Sequence, residues 1–231
     1  MLSIEQLRVS YGRKLVLDGL SAEFQPGEIH GVLGMNGAGK TTFFNAVYGF
    51  VGKNAGQCLY HGKPVTSRDI AFLETHGFFY PHMSGREYLQ LLALGNPSFE
   101  IEEWNRLFNL PLDATVDQYS TGMSKKLGFL GVLALDRPIM ILDEPFNGVD
   151  VESNEKIDQV LKRLKASNKI ILLSSHIIRG MTDICDRISY LEGGKIAKTY
   201  KKSEFADLEI QLKDLIKQEI DETLNQLFKT V

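Results

Sequence analysis

The chain has 231 residues, with 26 Lys and Arg against 29 Asp and Glu, a formal net charge of -3, and 43% hydrophobic residues. That length suits one large α/β domain, or one carrying a small insertion, and the apolar share is enough for a full core, which excludes a disordered chain. No excess of positive charge marks a surface for nucleic acid or acidic membrane, and Cys58, Cys185 and the five histidines lack metal-ligand spacing.

The opening MLSIEQLRVSYG lacks a charged start followed by an apolar run, so no secretory signal is expected. LSIEQLRVS, LSAEF and IHGVL are expected strands, separated by Gly12, Gly19 and Pro26-Gly27. After Gly39 the pattern changes to KTTFFNAVYGF, a helix expected to stop near Gly49. From about 84 to 118 the chain is expected to be mainly helical, an insertion within the core, with apolar positions at Leu89, Leu92, Ala93, Trp104, Leu107 and Phe108.

The α/β pattern then resumes. Residues 139–142 and 170–173 are unbroken apolar runs, as expected for central parallel strands covered on both faces. Helices are expected at about 151–166 and 177–185. From about 203 to 231 runs an amphipathic tail with Phe205, Leu208, Leu212, Leu215, Ile216, Ile220, Leu224 and Leu227 at three- and four-residue steps, expected to pack on its own domain. The most continuous apolar stretch, 127–135, is far short of the roughly 20 residues that cross a bilayer, so any role in transport would need a membrane partner.

Gly34-Met35-Asn36-Gly37-Ala38-Gly39-Lys40-Thr41 matches GxxxxGK[ST] between an apolar strand and a helix. Glycines let the backbone curl so that successive N–H groups converge on phosphate oxygens, and the helix adds its positive end. Lys40 would neutralise the β and γ phosphates of ATP, the Thr41 hydroxyl would hold Mg²⁺, and Thr42 joins the same binding set. Chance supplies roughly one such match per hundred chains of this length, and the strand–loop–helix setting disfavours a plain glycine turn.

The apolar run 139–142 ends in Asp143-Glu144. In an open parallel sheet, ligands bind beyond the carboxyl ends of the strands, which puts both acids beside the phosphates. Asp143 would hold Mg²⁺ through water, and Glu144 would orient or deprotonate the attacking water. An acidic pair alone could simply open a surface loop; the phosphate loop upstream favours catalysis.

Tyr119-Ser120-Thr121-Gly122-Met123 resembles the LSGGQ signature of the ABC ATPase family, and the resemblance spans about residues 1–200. Ser120 can cap a helix running toward Leu135, leaving N–H groups free, while Gly122 permits close approach of a phosphate. The resemblance implies a single domain over 1–231 with the ABC ATPase fold: an α/β, P-loop-type, mostly parallel sheet with an antiparallel β part and a helical insertion. It also implies that two cassettes sandwich two ATP molecules, with Ser120, Thr121, Gly122 and Met123 reaching the γ-phosphate across the seam. Asn147-Gly148-Val149-Asp150 resembles the D-loop that crosses that seam, with Asp150 closing the motif. Ser174-Ser175-His176 resembles the switch motif, which would set His176 on the γ-phosphate. Tyr11 matches the aromatic residue that stacks on adenine, with a packed strand tyrosine as the competing reading.

The YSxGM form of the signature is similar to the export-type branch. The implied partners are a second ABC ATPase subunit, identical or paralogous, and a separate integral membrane permease touched near residues 74–88. ATP and Mg²⁺ are the implied cofactors, no nucleic acid is expected, and the implied location is peripheral, on the inner face of the cytoplasmic membrane. One departure stands out. The family's coupling glutamine is missing from Ile70-Ala71-Phe72-Leu73-Glu74-Thr75. Ungapped alignment puts Thr75 at that position and a one-residue shift puts Glu74 there. Glu74 is preferred, because its carboxylate can accept from metal-bound water as an amide carbonyl does, whereas Thr75 has shorter reach.

Two rivals are weaker. A GTPase should carry NKxD, and the nearest string, Asn168-Lys169-Ile170-Ile171, lacks the acid. An ABC ATPase acting on ribosomes or DNA would be expected to carry two cassettes or long coiled coils, and this chain has neither.

Overall fold

The computed structural model describes residues 1–228. Its smaller sheet is antiparallel and joins β1 (Leu2–Tyr11), β2 (Lys14–Phe24), β4 (Ala55–Tyr60) and β5 (Lys63–Pro64) in the order β2-β1-β4-β5. The larger sheet joins β3 (Glu28–Leu33), β6 (Ile70–Leu73), β7 (Ile139–Leu142), β8 (Ile170–Ser175), β9 (Arg187–Glu192) and β10 (Lys195–Lys201) in the order β10-β9-β3-β8-β7-β6. Every pairing in it is parallel except β9–β10. Leu33 pairs with Ser175 and Leu142 with Leu173, so β3 and β8 end together, β7 two residues earlier, and their loops open on one side.

Strands β7 and β8 are buried along their whole length, which is why they carry no polar alternation. Their side chains alternate between two cores. Ile139 and Ile141 join Phe24, Phe43 and Phe44 on the side of the antiparallel sheet, while Met140 and Leu142 join Leu127, Phe129 and Leu130 on the other.

Helix α1 (Lys40–Tyr48) leaves the phosphate loop and ends at Gly49, as expected from the glycine. Between 84 and 118 lie only α2 (Gly85–Leu92), α3 (Ile101–Asn105) and two 3-10 turns. The segment is more broken than its apolar spacing suggests. Pro97 and Pro111 lack the N–H that would extend the helices through them. Ser84 and Glu87 start α2 with a reciprocal capping box, and Phe99 stacks on Trp104 at 5.6 Å to fill the insertion's interior.

Helix α4 (Thr121–Leu135) binds the insertion to the sheet. A Cβ at Gly131 would lie 2.8 Å from Tyr88 Cε1, and one at Gly128 would lie 2.8 Å from Leu73 Cδ1. The two glycines, one turn apart, therefore let α2 and β6 approach the helix more closely than any side chain would allow. Helices α5 (Val151–Ala166) and α6 (Ile178–Ile184) follow the expected ranges.

Helix α7 (Phe205–Phe228) forms the tail. Phe205, Leu208 and Leu212 are buried on the domain as expected, whereas Ile220, Leu224 and Leu227 are exposed. The tail expectation also covers residues 229–231 and the side chains of Leu215 and Ile216, which lie outside the described residues. No helix among the described residues is long and apolar enough to cross a membrane. Both cysteines are buried free thiols.

Candidate functional site

The carboxyl ends of the central strands border a cleft of about 780 Å³, lined by Tyr11, Lys14, Val16, residues 36–42, Thr75, Glu144, Asn147, His176 and the turn Gly193-Gly194. Its size is that of a pocket for a ligand of nucleotide dimensions. Tyr11 is half-exposed at this cleft rather than packed within its strand.

The phosphate loop takes its curvature from Gly37 (φ +83°) and Gly39 (φ +107°), left-handed positions that glycine adopts without strain. Gly39 gives α1 no side-chain cap, and the first turn of α1 holds no acid. Its amide groups and positive end are thus left for an anion. Lys40 is only 8% exposed, and its Nζ donates to the carbonyls of Gly34 (2.8 Å) and Met35 (3.4 Å), 4.0 Å from Glu144 Oε1. Burial pushes its pKa down, against the pull of Glu144 and Asp143. Gly34 and Met35 do not line the cleft; their carbonyls accept from Lys40.

Asp143 is fully buried, and three hydroxyls donate to it. Thr41 Oγ1 (2.7 Å) and Thr75 Oγ1 (2.6 Å) reach Oδ2, and Ser174 Oγ reaches Oδ1. These donors come from α1, the loop after β6 and the end of β8, so the carboxylate draws three elements together and its burial is compensated. Two hydroxyl oxygens and a carboxylate oxygen at one point form a hard, all-oxygen donor set of the kind that small divalent cations prefer.

Glu144 follows with φ +52°, a left-handed backbone unusual for a residue with a side chain. Its N–H donates to Ser174 Oγ at 3.0 Å. The carboxylate, 11% exposed, meets His176 Nδ1 at 3.1 Å from both oxygens and accepts from Asn147 Nδ2 at 3.3 Å. Glu144, His176 and Lys40 thus share one wall of the cleft.

The preference for Glu74 as stand-in for the missing glutamine is corrected by this geometry. Thr75 bonds Asp143 and lines the cleft, whereas Glu74 lines a neighbouring cavity of about 600 Å³ with Phe78, Phe79, Tyr88 and Thr121. Burial and the charge of Asp143 push the Glu74 pKa up. Both residues lie just past the end of β6, where the chain bends, and it is the Thr75 hydroxyl that reaches Asp143.

The signature is not at the phosphate cleft. Ser120 caps α4 by accepting from Met123 N at 3.2 Å, and Gly122 packs against the Gly148 carbonyl, where a Cβ would lie 2.8 Å away. Thr121 faces the neighbouring cavity instead. Asp150 caps α5, accepting from Ser153 N at 2.8 Å, and pairs with Lys126 at 3.0 Å. Ser174 braces both acids, a role that depends on spatial neighbours and so leaves no mark in the sequence. Lys125 and Lys126 do leave a signal, two adjacent cations near the head of α4, though the motif spacing assigns them no role.

A family model described as "ABC transporter" matches residues 17–147, more than half of the chain. The chain belongs to the ABC transporter family. The cassette is 29% identical over 213 residues to the lantibiotic transport ATP-binding protein SrtF of Streptococcus pyogenes, covering 88% of this chain and 93% of that one. It is 31% identical over 212 residues to the Nod factor export ATP-binding protein I of Burkholderia pseudomallei, covering 84% and 68%. A solved structure of an "ATP binding subunit of ABC transporter" superposes with a TM-score of 0.82 at 26% identity, covering 87% of this chain and 90% of that one. The protein is an ABC ATPase with the fold of that family.

Proposed function

We propose that this cassette powers export through a separate membrane permease, and that two cassettes close over two ATP molecules to do so. The observation that carries the hydrolytic part is the convergence of Lys40, Glu144 and His176 on one cleft beside the Thr41–Asp143–Thr75 cluster. The β and γ phosphates of ATP lie against the amides of residues 36–42, with Lys40 offsetting their charge. Tyr11 stacks on the base. Thr41, Asp143 and Thr75 fit Mg²⁺, which supplies charge neutralisation at the phosphate oxygens. Glu144 takes the proton of the attacking water or aligns it. His176 holds the Glu144 carboxylate in place and reaches the γ-phosphate.

Ser120 caps, and Thr121, Gly122 and Met123 begin, a helix with no acid in its first turn, and none of the four lines the phosphate cleft of its own chain. This supports a role toward the nucleotide of a second cassette, with Asp150 near that seam. The YSTGM signature and the names of two relatives, one of lantibiotic transport and one of Nod factor export, support an exporter. The location follows from the permease: peripheral, on the inner face of the cytoplasmic membrane.

The test is to tag the chain, extract native membranes in mild detergent and identify what co-purifies. A multi-span membrane protein, with ATPase activity lost in Glu144→Gln, is the expected result. A wholly soluble chain, or one travelling with ribosomes or DNA, would overturn the exporter and leave the ATPase.

A further inference from the structure

One turn beyond the signature, Lys125 is buried in α4 at 8% exposure. Its Nζ donates to three main-chain carbonyls: Thr75 at 3.0 Å, Glu74 at 3.2 Å and Asp143 at 3.4 Å. An ammonium has three N–H donors, and these three carbonyls account for all of them. The carboxylates of Asp143 and Glu144 support its charge from beyond contact distance, while burial pushes its pKa down. A buried cation is a costly way to fill space in a helix whose other buried residues are apolar. What it supplies, and a leucine could not, is a grip on three pieces of main chain at once.

Those three pieces matter to the chemistry. The first two carbonyls belong to the loop whose Thr75 hydroxyl touches Asp143, the third is Asp143's own, and α4 carries the signature at its head. Next along the helix, Lys126 reaches Asp150 and Ser153 at the start of α5. The phosphate loop, by contrast, receives no hydrogen bond from either lysine among the described residues.

We propose that Lys125 is a positioning residue for ATP hydrolysis: by clasping the loop of Glu74 and Thr75 and the Asp143 backbone, it makes the signature helix and the metal-side acid move as one body. The residue never touches substrate. It sets the geometry of a cluster that does, and it registers the signature offered to a second cassette against the state of its own site. The inference rests on the roles proposed above for Asp143, Thr75 and the signature.

The experiment compares Lys125→Met and Lys125→Arg with the unaltered full chain by three readouts. These are affinity for a fluorescent ATP analogue, kcat and KM for hydrolysis, and amide hydrogen exchange over residues 70–84. For Lys125→Met the expected affinity is within about twofold of the unaltered chain, with kcat lower by about 10–100-fold, the scale on which a small misplacement of reacting groups acts. Exchange in residues 74–79 should quicken, and Lys125→Arg, whose longer fork still donates to carbonyls, should restore part of kcat. Unchanged kcat and unchanged exchange in Lys125→Met would overturn the proposal. So would a loss of kcat with unchanged exchange, which would make the lysine a source of charge rather than a clasp. If the methionine variant does not fold, Lys125→Gln, which keeps a neutral donor, takes its place with the same outcomes. An unaltered chain that binds the analogue but does not hydrolyse ATP would count against the catalytic roles of Glu144 and His176, while the exchange readout would still decide on Lys125.

Discussion

Helices α1 and α4, like the seven-residue α6, begin without an acidic residue in the first turn, whereas α2, α3, α5 and α7 carry Glu87, Glu102 and Glu103, Glu152 and Asp207 there. An uncompensated positive end is an invitation to an anion, and these two ends are finished in different ways. The end of α1 has no side-chain cap, opens on a cleft, and has Lys40, Asp143 and Glu144 beside it. The end of α4 is capped by Ser120 and has no catalytic group within reach of its own phosphate loop. One opens on a site inside a single chain; the other, on the function proposed above, is half of a site that a second cassette completes.

The sharpest way to break the comparison is at the finished end. Glu144→Gln should lower kcat by about 10²–10⁴-fold, the usual worth of a positioned general base, while ATP affinity is kept. Steady-state hydrolysis beside equilibrium binding would check it; near-normal turnover would remove Glu144 from the mechanism. Lys40→Ala should weaken ATP binding by about tenfold or more in the isolated chain, because charge-assisted contacts to the phosphates are lost.

At the half-site, Ser120→Asp keeps a good cap but sets a negative charge where the foreign phosphate would arrive. Binding of ATP by the isolated chain should not change, while hydrolysis that depends on pairing should fall by about tenfold, the worth of roughly 1.4 kcal/mol. Full activity in this variant would mean that the α4 end meets no anion. The smallest effect is Ser120→Ala, which should cost about 1 kcal/mol of stability from the lost cap, readable as a modest drop in the thermal midpoint.

The same contrast governs what the sequence discloses. The phosphate loop is legible as a string because its chemistry is done by consecutive backbone groups, so Gly37, Gly39, Lys40 and Thr41 must stand in fixed spacing. Strands β7 and β8 are legible because burial on both faces forbids polar residues. The choice between Glu74 and Thr75 is not legible. It depends on the side to which the chain turns after Leu73, and the bond from Asp143 N to the Leu73 carbonyl at 2.8 Å helps fix that turn. The partners of Ser174 and Lys125 are not legible for a related reason: they lie 31 and 50 residues away along the chain, so the adjacent lysines show that a cation is present but not what it holds. The broken course of 84–118 is legible in Pro97 and Pro111, which interrupt helices that the apolar spacing alone would run on.

Because Ile139 and Ile141 belong to one core and Met140 and Leu142 to the other, β7 works as a ruler. Four side chains, taken in strict alternation, set the distance from the start of the strand to Asp143. A single residue inserted within β7 would send side chains to the opposite core and carry the two acids one step past Ser174, without altering any residue of the site. Length at this point is therefore as constrained as chemistry. Variants that gain or lose a residue should survive in exposed turns such as His61-Gly62 and be purged from β7.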